Sequence, residues 1–158
     1  MNPSHVLFLA FLIGVIAGLR SMTAPAVVAF AARLNWIHLR GSALSFMAST
    51  AAAAIFVALA VGELIGDKLP ATPSRLKPPG LIARFVLGGL SGAGVAIAGG
   101  QSVVVGAILG AAGGVAGAFA GNRMRAGLVK AFKVPDFVIA LLEDAVAIAG
   151  GLFIVSRF

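Results

Sequence analysis

Cysteine is missing from this 158-residue chain. Its absence excludes disulfides, thiolate metal sites and a cysteine nucleophile. Histidine is nearly missing, with only His5 and His38, and neither belongs to a Ser-His-Asp arrangement or a histidine-rich metal motif. The chain therefore does not read as an enzyme, and no cofactor is called for. Its glycine-rich stretches carry no P-loop lysine and no strand-to-helix context, so nucleotide binding has no support either. Charge is scarce, at 11% of residues against about 25% in a soluble domain. Acids are the scarcest charge, with Glu63, Asp67, Asp136, Glu143 and Asp144 making up all five.

What fills the chain is apolar. Hydrophobic residues make up 60% of it and the mean hydropathy is +1.07. They fall in blocks close to the length of a bilayer span instead of an amphipathic pattern. These features predict an all-α, polytopic transmembrane bundle forming a single integral membrane domain over 1–158. The formal charge of +7 suits short connections that set topology and meet anionic headgroups, so the lipid bilayer is the expected partner and nucleic acid is not.

The pattern predicts about five spans. The first covers about His5–Leu19. The region before it holds no Lys or Arg and no convincing cleavage site follows, so it reads as a span and not a signal peptide. It ends in Arg20-Ser-Met-Thr-Ala-Pro25, after which Ala26–Ala32 reads as the second half of a broken helix or as a re-entrant turn. Trp36, His38 and Arg40 suit an interfacial connection. The second span covers about Ser42–Ile65, and a proline-bearing aqueous linker follows over Leu69–Pro79. The third and fourth spans cover about Leu81–Ala98 and Ser102–Ala120. Asn122–Lys133 reads as a basic amphipathic segment in the interface, and the fifth span runs from about Phe137 to Val155.

In this order the linkers 67–84 and 122–133 share a side with the N-terminus. They hold Lys68, Arg75, Lys77, Arg84, Arg123, Arg125, Lys130 and Lys133, whereas the other side holds Arg33, Arg40 and Arg157. The positive-inside rule then places the N-terminus in the cytoplasm and the C-terminus outside.

Glycine is abundant, and its spacing predicts close helix packing through Gly14, Gly18, Gly88, Gly92, Gly106, Gly110, Gly114, Gly117 and Gly121. Five short spans enclose little volume, so a homodimer through these faces is expected. Gly14-x-x-x-Gly18-x-Arg20 matches Gly117-x-x-x-Gly121-x-Arg123, and each copy is followed by a span bearing acids. With an odd number of span steps between them, the copies predict an inverted repeat with halves at about 5–68 and 102–156 and span 81–98 between.

The chemistry is expected at the acids. Glu143 and Asp144 sit inside the last apolar run, where an ionised side chain costs about 2.5–3.5 kcal/mol and marks a functional site by default. As neighbours they point about 100° apart, so one is expected to meet a helix or an arginine and the other a cavity. Glu63 and Asp67 share a helix face. Together Glu63, Asp67, Glu143 and Asp144 could hold a small metal cation through oxygen ligands or relay protons. The alternative is that they neutralise Arg20, Arg84 and Arg123 within the fold. Three readings follow: a small transporter or channel for a cation or protons; an anion or lipid-phosphate carrier using Arg20 and Arg123; and a non-transporting membrane adaptor.

Gly18-Leu-Arg20, Glu63, Asp67-Lys68-Leu-Pro70, Pro73, Arg84 and Leu142-Glu143-Asp144-Ala145 resemble a small bacterial membrane family known as domain of unknown function 4126. That resemblance implies an integral membrane protein of the bacterial inner (plasma) membrane and no stated activity. Glu63-Leu-Ile-Gly66-Asp67-Lys68 is also similar to the Glu-x-Gly-Asp-Lys signature of manganese/calcium cation exchangers, with one extra residue before Gly66 and a second copy reduced to Leu-Glu143-Asp144. This second resemblance implies cation exchange on inverted repeats.

Overall fold

The computed structural model describes residues 1–67 and 76–158, so most of the expected linker, including Lys68, Pro70, Pro73 and Arg75, lies outside the described residues. Among the described residues there are α-helices and one 3-10 turn, with no strand. The helices are α1 (Pro3–Leu19), α2 (Thr23–Arg33), α3 (Thr50–Gly66), α4 (Pro78–Ala98), α5 (Val103–Phe132) and α6 (Asp136–Val155), with the 3-10 turn at Ser45–Ala48. Of these, α4, α5 and α6 are long and apolar enough to cross a membrane, and α1, α2 and α3 are shorter apolar helices.

Local chemistry sets most boundaries. The Asn2 side chain accepts from Ser4 N–H at 3.0 Å and Pro3 occupies the first turn of α1. Ser49 Oγ accepts from Ala52 N–H at 3.1 Å, which starts α3 eight residues later than the apolar run alone suggests. Pro78 and Pro79 open α4, where their missing N–H groups cost nothing.

The largest departure from the sequence reading concerns α2. Arg20 adopts an extended backbone and ends α1, and α2 folds back alongside it. Val28 packs on Gly94 of α4, and Val6 of α1 packs on Gly99 at the end of α4. The second half of α2 therefore lies towards the end of the bundle where α1 begins. Nine of the 11 residues of α2 are buried, enclosed by α1, α3, α4 and α6. At about 1.5 Å per residue α2 rises only about 16 Å. It is a short central helix in a hairpin with α1.

This hairpin corrects the expected topology. Because α2 returns, α3 starts beside its end, where Arg33 Nε donates to Thr50 Oγ1 at 2.8 Å, and it finishes beside Arg20. Asp67 and Arg84 thus lie at the opposite end from the N-terminus, not on its side. α5 climbs to that end and α6 descends from it, which leaves both termini together at the far end. The basic segment 122–133 is also not a separate interfacial helix. It continues α5 without interruption to a 30-residue length, about 45 Å.

Glycine packs the centre. Gly14 lies against Gly110, Gly18 against Gly114 and Gly117, and Gly88 and Gly92 against Gly110 and Gly106. A Cβ on Gly18 would fall 2.5 Å from the Gly114 carbonyl oxygen, and one on Gly88 would fall 2.6 Å from that of Gly110. Only glycine lets these backbones touch. The register rises together along α1 and α5, so they run parallel, with α4 antiparallel to both. The two Gly-x-x-x-Gly-x-Arg copies are therefore parallel, which removes the inverted orientation expected of them. The same contacts occupy these glycines inside one chain. Outside this packed trio, α3 rests on α2 and the 3-10 turn, while α6 rests chiefly on α2 and α1.

Candidate functional site

At the end where α1 breaks, all five acids of the chain meet arginine. Arg20 is the centre, and its side chain is fully buried, with 0% exposure. Its Nη1 pairs with Asp67 Oδ2 at the end of α3. Its Nε lies 2.6 Å from Asp144 Oδ1, and its Nη2 lies 3.8 Å from Glu143 Oε2, both on α6. One guanidinium thus joins the α1–α2 break to two peripheral helices. Both adjacent acids of α6 reach it because its planar fork presents nitrogen atoms in divergent directions.

Arg125 forms a second centre. It clasps Asp136 with both arms, Nε to Oδ1 at 2.9 Å and Nη2 to Oδ2 at 2.5 Å. Its Nη1 stands 3.5 Å from Glu143 and 3.7 Å from Asp67. Glu143 and Asp67 are each shared between Arg20 and Arg125, which makes the cluster one network instead of separate pairs. Removing one member of a buried ion pair costs about 3–5 kcal/mol, so such a network fixes the helices that supply it.

Glu63 and Arg84 complete the cluster differently. The Glu63 carboxylate accepts from Ser21 N–H at 2.8 Å, Ser21 Oγ at 2.6 Å and Met22 N–H at 2.8 Å. These donors sit at the start of α2, whose positive dipole end favours an anion. Arg84 Nε donates to the Gly18 carbonyl at 3.0 Å, and its Nη1 donates to the Gly80 carbonyl at 3.0 Å. The first of these satisfies a carbonyl orphaned where α1 ends. Arg84 Nη2 stands 3.9 Å from Glu63.

Two apolar grooves adjoin the network. One, of about 220 Å³, runs between α1, α5 and α6 past Val15, Leu19, Met124 and Val146, with Arg125 and Glu143 on its wall. The other, of about 180 Å³, lies over α2 between α3 and α6 and is lined by residues such as Val27, Phe30, Val61 and Ile148, with Thr23 at one end.

Glu63, Asp67, Glu143, Asp144 and Arg20 are thus brought together. Arg123 is not, since it is exposed on the far face of α5, and Arg125 takes the place expected for it. The signal for Arg125 is in the sequence, because Gly117, Gly121 and Arg125 recur every four residues and share one helix face. Arg20 is fully buried and Arg123 is exposed, so the two do not share a site. Nor do the acids converge as a cage. Guanidinium groups stand between them, and among the described residues no three His, Cys, Asp or Glu side chains are grouped to hold a metal ion.

Compared with known proteins, residues 7–156 match the family model described as Domain of unknown function (DUF4126). No curated protein and no solved structure matches the chain, so the likeness to cation exchangers gains no support.

Proposed function

The chain belongs to the DUF4126 family, whose description states no activity, and from its geometry we propose that it is a small membrane transporter driven by protons. The observation that carries this reading is Arg20, fully buried at the α1–α2 break and ion-paired at once to Asp67 of α3 and to Asp144 and Glu143 of α6. α1, α4 and α5 form a rigid trio welded by glycine, whereas α3 and α6 pack mainly on the short central α2. A proton on Asp67, Glu143 or Asp144 cancels one tie between that rigid trio and a peripheral helix. Proton binding and the opening of one end of the bundle are then the same event, which is the coupling a secondary transporter requires.

In this reading α1 and α3, at 17 residues each, reach the lower limit for a span and complete five spans around α2. Lys77, Arg84, Arg123, Arg125, Lys130 and Lys133 lie at the Arg20 end, against Arg33, Arg40 and Arg157 at the other. The positive-inside rule places the Arg20 end in the cytoplasm and both termini outside.

The competing reading is a non-transporting membrane scaffold, favoured by the fact that every acid has an arginine neighbour. Proton flux into proteoliposomes separates the two. The transporter reading expects pH-gradient-driven flux that is lost in Glu143→Gln while the folded protein is retained. Absence of flux from the wild-type protein under a pH gradient or a membrane potential would favour the scaffold.

A further inference from the structure

The groups that hold Glu63 make a receptor for a carboxylate. Ser21 N–H and Ser21 Oγ donate to one oxygen and Met22 N–H to the other, at 2.6–2.8 Å. Arg84 Nη2 flanks the same carboxylate at 3.9 Å. Behind these donors stands α2, with 11 residues, nine of them buried, so its N-terminal dipole acts in a poorly hydrated setting.

This pole carries more hydrogen-bonding capacity than Glu63 uses. Thr23, the first residue of α2 and 3% exposed, has a buried hydroxyl with no hydrogen-bond partner. Arg20, which directly precedes these donors, is committed instead to the acids of α3 and α6, so the spare group at this pole is the Thr23 hydroxyl. Polar groups left this way inside a protein are costly and call for an explanation.

The side chain that fills the receptor comes from a weakly held helix. Only Ala53 and Ala60 of α3 are buried, and Gly62 and Gly66, on either side of Glu63, have open space where a Cβ would be. A free carboxylate of similar size at the start of α2 would displace Glu63 and release the end of α3 that also carries Asp67.

We propose that the N-terminus of α2 is the cargo site, that the cargo is a small carboxylate-bearing molecule, and that Glu63 occupies the site as a tethered stand-in for it. This rests on the transporter reading and adds the cargo class. Exchange of Glu63 for cargo loosens α3 from within the bundle, while protons act on the acids around Arg20.

The test uses the full chain in detergent, with acetate as probe and chloride at equal pH and ionic strength as control. The chain has no cysteine, so Ala60→Cys, at a site 8% exposed on the buried side of α3, reports departure of α3 by its rate of thiol labelling. Acetate is expected to raise that rate saturably, by threefold or more, and chloride is not. In a second arm, Glu63→Ala leaves the receptor open, so acetate is expected to raise its melting temperature. Adding Ser21→Ala is then expected to weaken the acetate response about tenfold, as for loss of one hydrogen bond to a charged group. Should Glu63→Ala fail to fold, the labelling arm decides alone. Indifference to acetate overturns the proposal, as does a response to phosphate without one to acetate. Proton flux that persists in a protein indifferent to acetate would sink the cargo assignment and spare the transporter reading. Acetate binding without any proton flux would leave a carboxylate-binding site standing and overturn both the transporter reading and the cargo role.

Discussion

Replacing Arg20 with leucine removes the side chain that Asp67, Glu143 and Asp144 share. Asp67 and Glu143 keep Arg125, at 3.7 and 3.5 Å, but Asp144 loses a guanidinium nitrogen 2.6 Å away. Breaking a buried ion pair from one side costs about 3–5 kcal/mol, and Arg20→Leu is expected to cost that much. Asp67→Leu should cost less, about 1.5–3 kcal/mol, because Arg20 keeps its two partners on α6 and Asp67 is the more exposed member. The double variant should cost less than the sum by about 1–3 kcal/mol, since with Asp67 gone one of the carboxylates stranded by Arg20→Leu no longer exists. Equilibrium unfolding in mixed micelles at increasing denaturing detergent measures all three values. If Arg20→Leu lies within about 0.5 kcal/mol of wild type, or the cycle is additive to the same margin, the network does not tie α3 and α6 to the break and the coupling argument fails.

Two further outcomes follow from the same geometry. Arg125→Gln should destabilise the fold and release α6, read as faster hydrogen exchange near Asp136 and Glu143, whereas Arg123→Gln on the opposite face should stay within about 0.5 kcal/mol of wild type; equal effects would contradict the assignment of Arg125 to the network. Single cysteines placed at Asn2 and Ser156 should react with an impermeant thiol reagent from the same side of the membrane, and one at Gly127 only from the other, so labelling of Asn2 and Gly127 from one side would refute the α1–α2 hairpin.

The helices themselves were legible because their causes are local. The span expected at Phe137–Val155 differs from α6 by one residue at its start, and the break at Arg20–Pro25 lies where α1 ends and α2 begins. The acids were legible because carboxylates inside apolar runs are rare. What stayed hidden was direction. A break shows where a helix stops, but whether the next piece continues or returns depends on Ala24, Ala31 and Ala32 finding cover on helices far away in sequence. From that one ambiguity came the linker placed at the same end as the N-terminus. Arg123 was preferred to Arg125 because it completed a repeat, although helical periodicity puts Arg125 on the glycine face. The segment 122–133 looked interfacial because its exposed basic residues give any helix a polar side, even one that simply carries α5 onward.

The parallel contact of α1 with α5 also constrains how the protein comes to exist. Gly14 and Gly18 of α1 meet their partners Gly110, Gly114 and Gly117 on α5 only after three other α-helices, α2, α3 and α4, have been synthesised. Until then the groove they form on α1 has no α5 against it, and the hydrogen-bonding groups around Arg20 have neither Arg125 nor the acids of α6. Domains whose contacts join distant parts of the sequence pay loop closure before any contact rewards it. The ribosome therefore leaves this bundle open on the side of its densest seam, and the last third of the chain closes it. A nascent chain that stops before α5 should be a substrate for membrane quality control, however apolar its helices are.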